Sequence, residues 1–271
     1  NIETLEDNLH HRQNLNLTYA VRDGIISHCG EMNQKCIVKR NEYIDLNDYT
    51  SAGLYNPYTW EGCVVKMADK IAYLARDIED ALRLKVLKEN KVEVLRASLN
   101  SIASDYKFNA INNGTIVNYF IQEVCENSNP VNGISLSQEA FEIMKTIMKF
   151  NYQNIYLIDR VQIHTNYVNL ILNSIFDFFI KYYLIAKDSN SSLINELLED
   201  RNDYPHAING FVHWLKKYSR MKGLERLDIY ENKIIYDFIE DDKAIIKSII
   251  DYLSGMSDEY IIQIFNELIS F

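Results

Sequence analysis

Apolar residues recur along most of the chain at steps of three and four, which is the pattern of one face of an α-helix. Strand-like alternation is rare, and the residues that interrupt helices are few, with nine glycines and three prolines. The pattern therefore predicts an all-α fold, a compact multi-helix domain. One segment, LDIYENKIIYDF at 227–238, alternates enough to predict a small β-hairpin.

The first predicted helix lies within LNLTYAVRDGIISHCG, where Thr18 can cap its start and Gly30 suits its end. Gly24 inside it costs roughly 1 kcal/mol relative to alanine, which a close approach by another helix would explain. Its predicted apolar side is Tyr19, Val21, Ile25 and Ile26. The loop-like segment 31–58 is either a functional flap or an ordered irregular region.

A long central helix is predicted from Pro57 to Thr59 through about Asn90, about 30 residues or 45 Å. The stripe expected to pack inward is Val64, Ala68, Ile71, Ala75, Ile78 and Leu82. Further helices are predicted at 91–106, 115–126, 136–150, 153–186, 191–199, 205–220, 241–254 and 257–270. No repeat and no linker rich in glycine, proline or serine marks a boundary, so 1–271 is predicted to form one domain.

Composition narrows the function classes. A hydrophobic content of 47% excludes a disordered chain, and a net charge of −10 argues against a general binder of nucleic acid or membrane surfaces. No run of about 18 apolar residues and no signal peptide is apparent. The four cysteines are too scattered for a disulfide framework. These features predict a cytoplasmic protein, and because residue 1 is asparagine we expect a piece of a longer one.

One polar row interrupts the central apolar pattern. Asp69, Tyr73 and Asp77 are four residues apart and would line up over about 12 Å of helix, with Lys70 about 100° round from Asp69. A carboxylate bordering an apolar stripe is costly unless it meets a metal, a cation or several donors. The row therefore indicates either a binding site or local charge pairs.

The charge-pair interpretation needs no function. Asp69 would pair with Lys66 or Lys70, Tyr73 would belong to the core, and Asp77 would pair with an arginine. The candidate arginines are Arg76 and Arg83. Spacing alone favours this interpretation.

The residues of the whole segment favour the binding-site interpretation instead. EGCVVKMADKIAYLARDIEDALR at 61–83 closely resembles the segment with the last metal-ligand aspartate in HD-domain deoxynucleoside triphosphate triphosphohydrolases, the dGTPase-like family. LNLTYAVRDGIISHCG at 15–30 and DYLSGMSDEY at 251–260 look like two further motifs of that family in the same order. ISLSQEAFEIMKTIMKFNYQNIY resembles its less specific middle. The resemblance spans essentially the whole chain and implies an HD-type helical domain.

The resemblance also implies roles. Asp69 would be the final ligand of a divalent metal such as Mg²⁺ or Mn²⁺, Lys70 would contact phosphate, Tyr73 would pack on the deoxyribose, and Asp77 would accept a hydrogen bond from the 3′-hydroxyl. These residue types suit those groups. In the family, the metal activates water to release deoxynucleoside and triphosphate. The resemblance further implies deoxynucleoside triphosphates as ligands, a homo-oligomer, and nucleic acid as a regulator at most.

The family's other metal ligands, a histidine and a His-Asp pair, lie upstream of the LNLT motif. Only 14 residues precede Leu15, and His10 and His11 are adjacent and not followed by aspartate. A catalytic metal ordinarily needs three or more protein ligands. We therefore expect the 271 residues alone to bind metal poorly and to be inactive.

Other candidates are weaker. His28, Cys29 and Cys36 do not have a usual zinc spacing. Cys63 and Cys125 are expected to be buried small hydrophobic residues.

The remaining histidines are expected to be hydrogen-bonded structural residues, with a nucleotide pocket as the alternative; they are His164, His206 and His213. FVHWLKKYSR combines aromatic and basic residues, which fits a snorkelling amphipathic helix better than a contact with nucleic acid or an effector nucleotide.

Two hypotheses of different class therefore stand: a metal-dependent triphosphohydrolase, and a non-catalytic helical module that binds a nucleotide or a protein partner. Another HD phosphohydrolase is a third, and the release of triphosphate, pyrophosphate or phosphate would separate it from the first.

Overall fold

The structure is a computed structural model that describes residues 4–6, 12–30, 34–189, 191–221, 223–227, 230, 234–238 and 243–270, with the backbone alone for 4–6 and 12–14. Its contacts divide the chain into two compact units. We call Leu15–Gln162 the first unit, and Asn1–Asn14 with Ile163–Phe271 the second unit. The single domain expected over 1–271 stays a prediction.

The described residues are mainly helical, which confirms the predicted all-α class. The first unit contains α1 Tyr19–Ser27, α2 Trp60–Ala72, α3 Arg76–Arg83, α4 Glu89–Ile102, α5 Asn113–Asn127 and α6 Gln138–Asn151. A π-helical turn, Tyr152–Tyr156, follows α6. Helix α7, Asp159–Ser189, begins in the first unit and continues into the second. The second unit adds α8 Leu193–Glu199, α9 Pro205–Tyr218, α10 Ala244–Ser254 and α11 Asp258–Ile269.

Short strands accompany the helices. Antiparallel pairs join β1 Thr4–Glu6 with β2 Arg12–Asn14, and β3 Cys36–Ile37 with β4 Ile134–Ser135. A parallel pair joins β5 Ser219–Arg220 with β6 Tyr236–Asp237. The hairpin predicted at 227–238 lies partly outside the described residues, and its described strand β6 pairs with β5 instead of within the segment.

Side-chain caps explain several helix starts. The hydroxyl of Thr18 accepts the amide of Val21 at 3.4 Å, as the sequence predicted, and Thr59 accepts that of Gly62 at 3.1 Å. The same type of cap begins α5, α6 and α11 at Asn112, Ser137 and Ser257.

Helices α1 and α2 approach each other at two glycines. A Cβ added to Gly24 would lie 3.8 Å from the Cα of Gly62, which confirms the predicted close approach. The predicted apolar side of α1 is partly wrong, because Val21 is 46% exposed whereas Asp23 is fully buried. Helix α1 can turn Asp23 inward because its carboxylate has partners from the segment 34–58.

The prediction of one central helix from Pro57 to Asn90 is wrong. The chain forms α2 and α3 with a break at 73–75. The amide of Tyr73 donates to the carbonyl of Ile71, and the carbonyl of Leu74 accepts the side-chain amide of buried Asn151 at 2.8 Å. A side chain that occupies a ladder carbonyl interrupts a helix, so the cause is a residue distant in sequence.

Each unit has its own hydrophobic core. In the first unit, the buried residues of the α2–α3 segment are Cys63, Met67, Ile71, Leu74, Ala75, Ile78 and Ala81. Val64 and Ala68, expected to point inward, are exposed. The second core is aromatic, with ring centroids of Phe179 and Phe211 4.4 Å apart and those of Phe211 and Tyr252 5.3 Å apart.

Candidate functional site

Asp69 lies on an open side of α2. Its carboxylate is exposed, as are the neighbouring side chains of Val64 (46%), Val65 (50%) and Ala68. The expected partial desolvation of Asp69 is therefore wrong for the described residues. An exposed carboxylate remains accessible to a ligand, but by itself it is not a site.

Two lysines of α2 are buried. Lys70, predicted to contact phosphate, is only 7% exposed. Lys66 is 1% exposed, and its Nζ donates to the carbonyl of Ser27 at 3.2 Å. Burial lowers the pKa of Lys66, and the nearby Cys63 and Cys29 oppose this effect. The sequence did not indicate that Lys66 is buried. Its hydrogen bond goes to Ser27, the last residue of α1, and not to Asp69 as the charge-pair interpretation expected.

The Asp77 carboxylate, half-buried at the start of α3, accepts a hydrogen bond from the hydroxyl of Tyr156. The amide of Asp77 donates to the carbonyl of Tyr73 at 3.1 Å, which is the spacing of an α-helical hydrogen bond. Tyr73 and Asp77 therefore stay in helical register across the break. The charge pairs proposed for Asp77 are wrong. Arg76 and Arg83 instead contact Asp80, at 3.5 and 2.9 Å.

Tyr156 is the residue that sequence reasoning missed. It ends the π-helical turn that follows α6, 79 positions from Asp77. The same connection supplies Asn151, the donor at the α2–α3 break. The segment NYQNIY at 151–156 contains both Asn151 and Tyr156, but no periodicity relates it to 69–77. π-Helical turns are rare and often occur at functional sites.

The first unit therefore brings one end of α2, the break, the start of α3 and the π-helical turn into a continuous set of contacts. It offers a half-buried carboxylate held by a tyrosine, a half-buried Tyr73 and a mostly buried lysine. This combination suits a small ligand with a hydroxyl, an apolar ring face and an anionic group.

A second buried polar cluster, also missed, lies between α1 and the segment 34–58. The guanidinium of Arg40 contacts the carboxylate of Asp23 and the hydroxyl of Tyr19, and Asp23 accepts the amide of Tyr58 at 2.7 Å. Burial lowers the pKa of Arg40, but the hydrogen bonds and charge interactions with Asp23 and Tyr19 together outweigh this, and the net shift is upward. Segment 34–58 is thus ordered irregular structure tied to α1 by an ion pair.

The described residues contain no group of three or more histidine, cysteine, aspartate or glutamate side chains that could hold a metal ion. The zinc hypothesis for His28, Cys29 and Cys36 is therefore not supported among them. His10 and His11 lie outside the described residues. All four cysteines are free; burial raises the pKa of Cys63 to about 11, whereas Cys125 is exposed and not buried as expected.

In the second unit, a cavity of ≈ 820 Å³ is lined by His213 and Lys216 of α9 together with Arg201, Leu198 and Leu224, among others. His213 thus lines a pocket. His206 contacts the carboxylate of Glu267 at 2.6 Å, as expected for a hydrogen-bonded histidine. His164 is exposed beside the ring of Tyr167.

Helix α7 is long and apolar enough to cross a membrane by length and composition alone, with a mean hydropathy of 1.3 in an 18-residue window. The sequence predicted no such stretch. The difference arises because the window average tolerates the polar residues that interrupt the apolar run. A single helix of this kind is weak evidence for a membrane span.

No family model matches the chain. Curated proteins named "Deoxyguanosinetriphosphate triphosphohydrolase-like protein" do match: one from Clostridium perfringens (strain SM101 / Type A) is 28% identical over 263 residues, and one from Clostridium tetani (strain Massachusetts / E88) is 24% identical over 255. Each alignment covers 94% of this chain and 54% of the relative. A relative from Rickettsia bellii (strain RML369-C) is 24% identical over 280 residues, covering 94% of this chain and 62% of its own. The chain spans about half the length of the Clostridium relatives.

Proposed function

Because this chain resembles dGTPase-like proteins over 94% of its length, we propose that it is the nucleotide-facing part of a deoxynucleoside triphosphate triphosphohydrolase. The full activity would release deoxynucleoside and triphosphate. The observation that carries the proposal is the contact between Asp77 and Tyr156, because it holds a carboxylate of the resembling motif at a site suited to a hydroxyl donor.

Asp77 is proposed to accept the 3′-hydroxyl of the deoxyribose. A carboxylate has two oxygens and about four acceptor positions, so it can accept Tyr156 and a ligand hydroxyl together. Tyr156 would restrict the orientation of the carboxylate before the nucleotide arrives, which lowers the entropic cost of binding.

Tyr73 is proposed to pack on the sugar and Lys70 to contact phosphate. A tyrosine ring offers an apolar face to a sugar that lacks the 2′-hydroxyl. Burial of Lys70 removes water that would otherwise weaken its attraction for an anion, so a small accessible part of the ammonium would have a strong effect.

The divalent metal, Mg²⁺ or Mn²⁺, does not fit the described residues by themselves. Asp69 offers one exposed carboxylate, and no group of three or more suitable side chains surrounds it among the described residues. We propose Asp69 as one ligand of a centre whose other ligands lie outside the described residues. On this proposal the 271 residues bind nucleotide without hydrolysing it.

A second candidate is a non-catalytic helical module that binds nucleotide or a protein partner, which fits the described residues because they contain no group of three or more side chains that could hold a metal ion. Turnover in a longer version of the protein separates the two. In that version Asp69→Ala should lose bound metal and triphosphate release together, measured by elemental analysis and by separating triphosphate, pyrophosphate and phosphate. Unchanged turnover would refute the role of Asp69, and release of pyrophosphate or phosphate would indicate a different phosphohydrolase.

Nucleotide binding tests the site directly in the 271-residue chain. Calorimetric titration with dGTP should detect binding that Asp77→Ala weakens about tenfold or more, since a hydrogen bond to a charged group is worth about 1.5–3 kcal/mol. Asp80→Ala is the matched control, because Asp80 lies on the same helix and, among the described residues, its side chain pairs with Arg76 and Arg83. Equal loss in both variants would contradict the assignment.

The proposal extends to a cytoplasmic location, a homo-oligomer, and nucleic acid as a regulator at most. Fractionation of cells that express the protein would test the location: recovery in the membrane fraction would overturn it.

A further inference from the structure

The cavity of ≈ 820 Å³ in the second unit lies between α8, α9 and the chain that follows β5. From α9 it is lined by Asn209, Val212, His213 and Lys216. These four positions are three, one and three residues apart, so they share one face of the helix. From α8 it is lined by Ile194 and Leu198, which are four residues apart and also share a face. The volume is within the range of roughly 300–1,000 Å³ that is usual for small-molecule sites.

The chain after β5 is fixed in place as one side of the cavity. Met221 and Leu224 form an antiparallel bridge around Gly223, whose φ of 79° lies in the left-handed region that favours glycine. The Nε atom of Arg226 donates a hydrogen bond to the carbonyl of Lys217 near the end of α9, at 3.2 Å. This side of the cavity is therefore built by a turn and by a hydrogen bond to α9.

The lining of the cavity is largely aliphatic. Ile194 and Val212 are buried, whereas Leu198 and Leu227 are exposed. Apart from the imidazole of His213, no aromatic ring lines the cavity among the described residues. A nucleobase is commonly held by stacking on an aromatic ring, whereas an aliphatic chain needs only apolar surface. The lining therefore favours an aliphatic ligand.

The permanent charges of the lining are mainly positive. Arg201 and Lys216 are cations, and Glu225 is the one carboxylate among the described lining residues, so the sum is one positive charge. Neither Arg201 nor Lys216 forms a salt bridge with another described residue. The whole chain has a net charge of −10, so a cavity with a positive lining differs from the rest of the molecule. Such a lining favours an anion.

We propose that the cavity binds a small aliphatic carboxylate, with its chain on the leucine, isoleucine and valine side chains and its head at Arg201 and Lys216. A guanidinium matches a carboxylate with two parallel hydrogen bonds, and an ammonium adds a point charge. The single negative charge of the head balances the one positive charge of the lining. A membrane surface fits less well, because a single chain that enters the cavity can reach the buried Ile194 and Val212, whereas a lipid surface covers exposed side chains.

The carboxylate site is independent of the proposed nucleotide site. The residues that line the cavity belong to the second unit, whereas Asp77 and Tyr156 belong to the first. Failure of the chain to bind a carboxylate would therefore leave the titration with dGTP unaffected.

Calorimetric titration of the 271-residue chain with octanoate tests the proposal. We expect a dissociation constant below about 1 mM, which is a modest affinity for a ligand of about ten non-hydrogen atoms. 1-Octanol keeps the chain without the charge, and acetate keeps the charge without the chain. Each should bind at least about tenfold more weakly than octanoate, because each loses one of the two kinds of contact.

Charge reversal tests the position of the head. Lys216→Glu and Arg201→Glu should each weaken octanoate binding at least about tenfold, because each places a negative charge beside the carboxylate. Lys216→Arg keeps the charge and should bind within about threefold of the original chain. Lys181→Glu is the matched control, because Lys181 is an exposed lysine of the same unit outside the lining. It makes the same change in net charge and should alter binding by less than about twofold.

Circular dichroism identifies any variant that fails to fold, and Lys216→Gln then removes the charge without reversing it and should still weaken binding. A chain that does not bind octanoate would overturn the proposal, because Arg201 and Lys216 would then only cover apolar surface with their stems. Equal affinity for 1-octanol, or an equal loss in Lys181→Glu, would overturn it as well. Octyl phosphate that binds at least about tenfold more tightly than octanoate would assign the site to a phosphate head. Binding to phosphatidylglycerol vesicles without binding of octanoate would assign it to a lipid surface, and both results contradict the proposal.

Discussion

The two units of the molecule bury different kinds of groups. Among the described residues, the buried ionisable side chains outside tyrosine and cysteine belong to the first unit: Asp23, Lys66 and Lys70. The second unit instead fills its core with aromatic rings, and its buried tyrosine hydroxyls find partners near the surface. Tyr182 donates to Asp200 at 2.7 Å.

This difference shows where the molecule accepts an energetic cost. A buried charge is unfavourable unless it is paired, so a core built for stability alone has little use for one. The second unit follows that rule. The first unit departs from it at α1 and at α2, and α2 lies within the segment 61–83 that resembles dGTPase-like proteins. Such departures from local stability are expected near functional sites.

The chain provides one reporter for each unit, because its two tryptophans are Trp60 in the first and Trp214 in the second. A Trp214→Phe background leaves fluorescence that reports on the first unit, and Trp60→Phe leaves a reporter of the second. The stability predictions below are measured by urea unfolding in these two backgrounds.

The largest effect is expected at Asp23. Asp23→Ala leaves the guanidinium of Arg40 buried without its carboxylate, which should reduce the free energy of unfolding by about 3–5 kcal/mol. The Trp60 signal should report this loss. The control in the second unit is Asp237→Ala, which removes an ion pair with Arg220 that is half open to solvent and should cost at most about 1 kcal/mol. Equal losses would show that the first unit does not depend on its buried pair.

The next effect concerns the break between α2 and α3. Asn151→Ala leaves the buried carbonyl of Leu74 without its side-chain donor. We expect the free energy of unfolding, measured by the fluorescence of Trp60, to fall by about 1–3 kcal/mol. Ser219→Ala is the counterpart in the second unit: it removes a side-chain bond to the carbonyl of Leu215, which keeps the backbone amide of residue 219 as a donor, and should cost less. If Asn151→Ala is neutral, the break does not need this donor.

Sequence reasoning located most helices because their signals are local. Caps such as Thr18 and the apolar steps of three and four lie within the element they predict. The break in the central helix was missed because its donor, Asn151, lies 77 positions from Leu74. No local pattern contains that information.

The candidate site divides in the same way. The spacing of Asp69, Tyr73 and Asp77 singled out the segment, and the family resemblance is confirmed by the comparisons. The exposure of Asp69 and the burial of Lys70 did not follow from the pattern, because side-chain burial depends on which elements pack nearby. Tyr156 was missed for the same reason, since its partner is 79 positions away.

A smaller, pH-dependent effect is expected at Lys66. Its pKa is lowered in the folded state, so between that value and the unfolded value the unfolded chain binds more protons and stability rises with pH. Lys66→Met should abolish this alkaline gain and change the free energy of unfolding at pH 7 by less than about 1.5 kcal/mol. Tyrosines with raised pKa values make the folded chain less stable in the same alkaline range. The measured quantity is therefore the difference in the free energy of unfolding between the original chain and Lys66→Met across about pH 7–11. A pH-independent difference would mean that Lys66 has the same pKa in the folded and unfolded chains, which would contradict the lowered value.

The smallest effect compares the same substitution in both units. Gly24→Ala adds a Cβ at an ordinary contact distance of 3.8 Å from Gly62, so the gain in helix propensity should stabilise the first unit by about 0.5–1 kcal/mol. Gly210→Ala in α9 places its Cβ 2.3 Å from the hydroxyl of Tyr252 and should destabilise the second unit, because the aromatic core must shift. The two changes in the free energy of unfolding, measured separately by Trp60 and Trp214, should have opposite signs. The reason is that Gly24 faces another glycine, whereas Gly210 faces a tyrosine hydroxyl. A loss at Gly24 would show that α1 and α2 are closer than a methyl group allows.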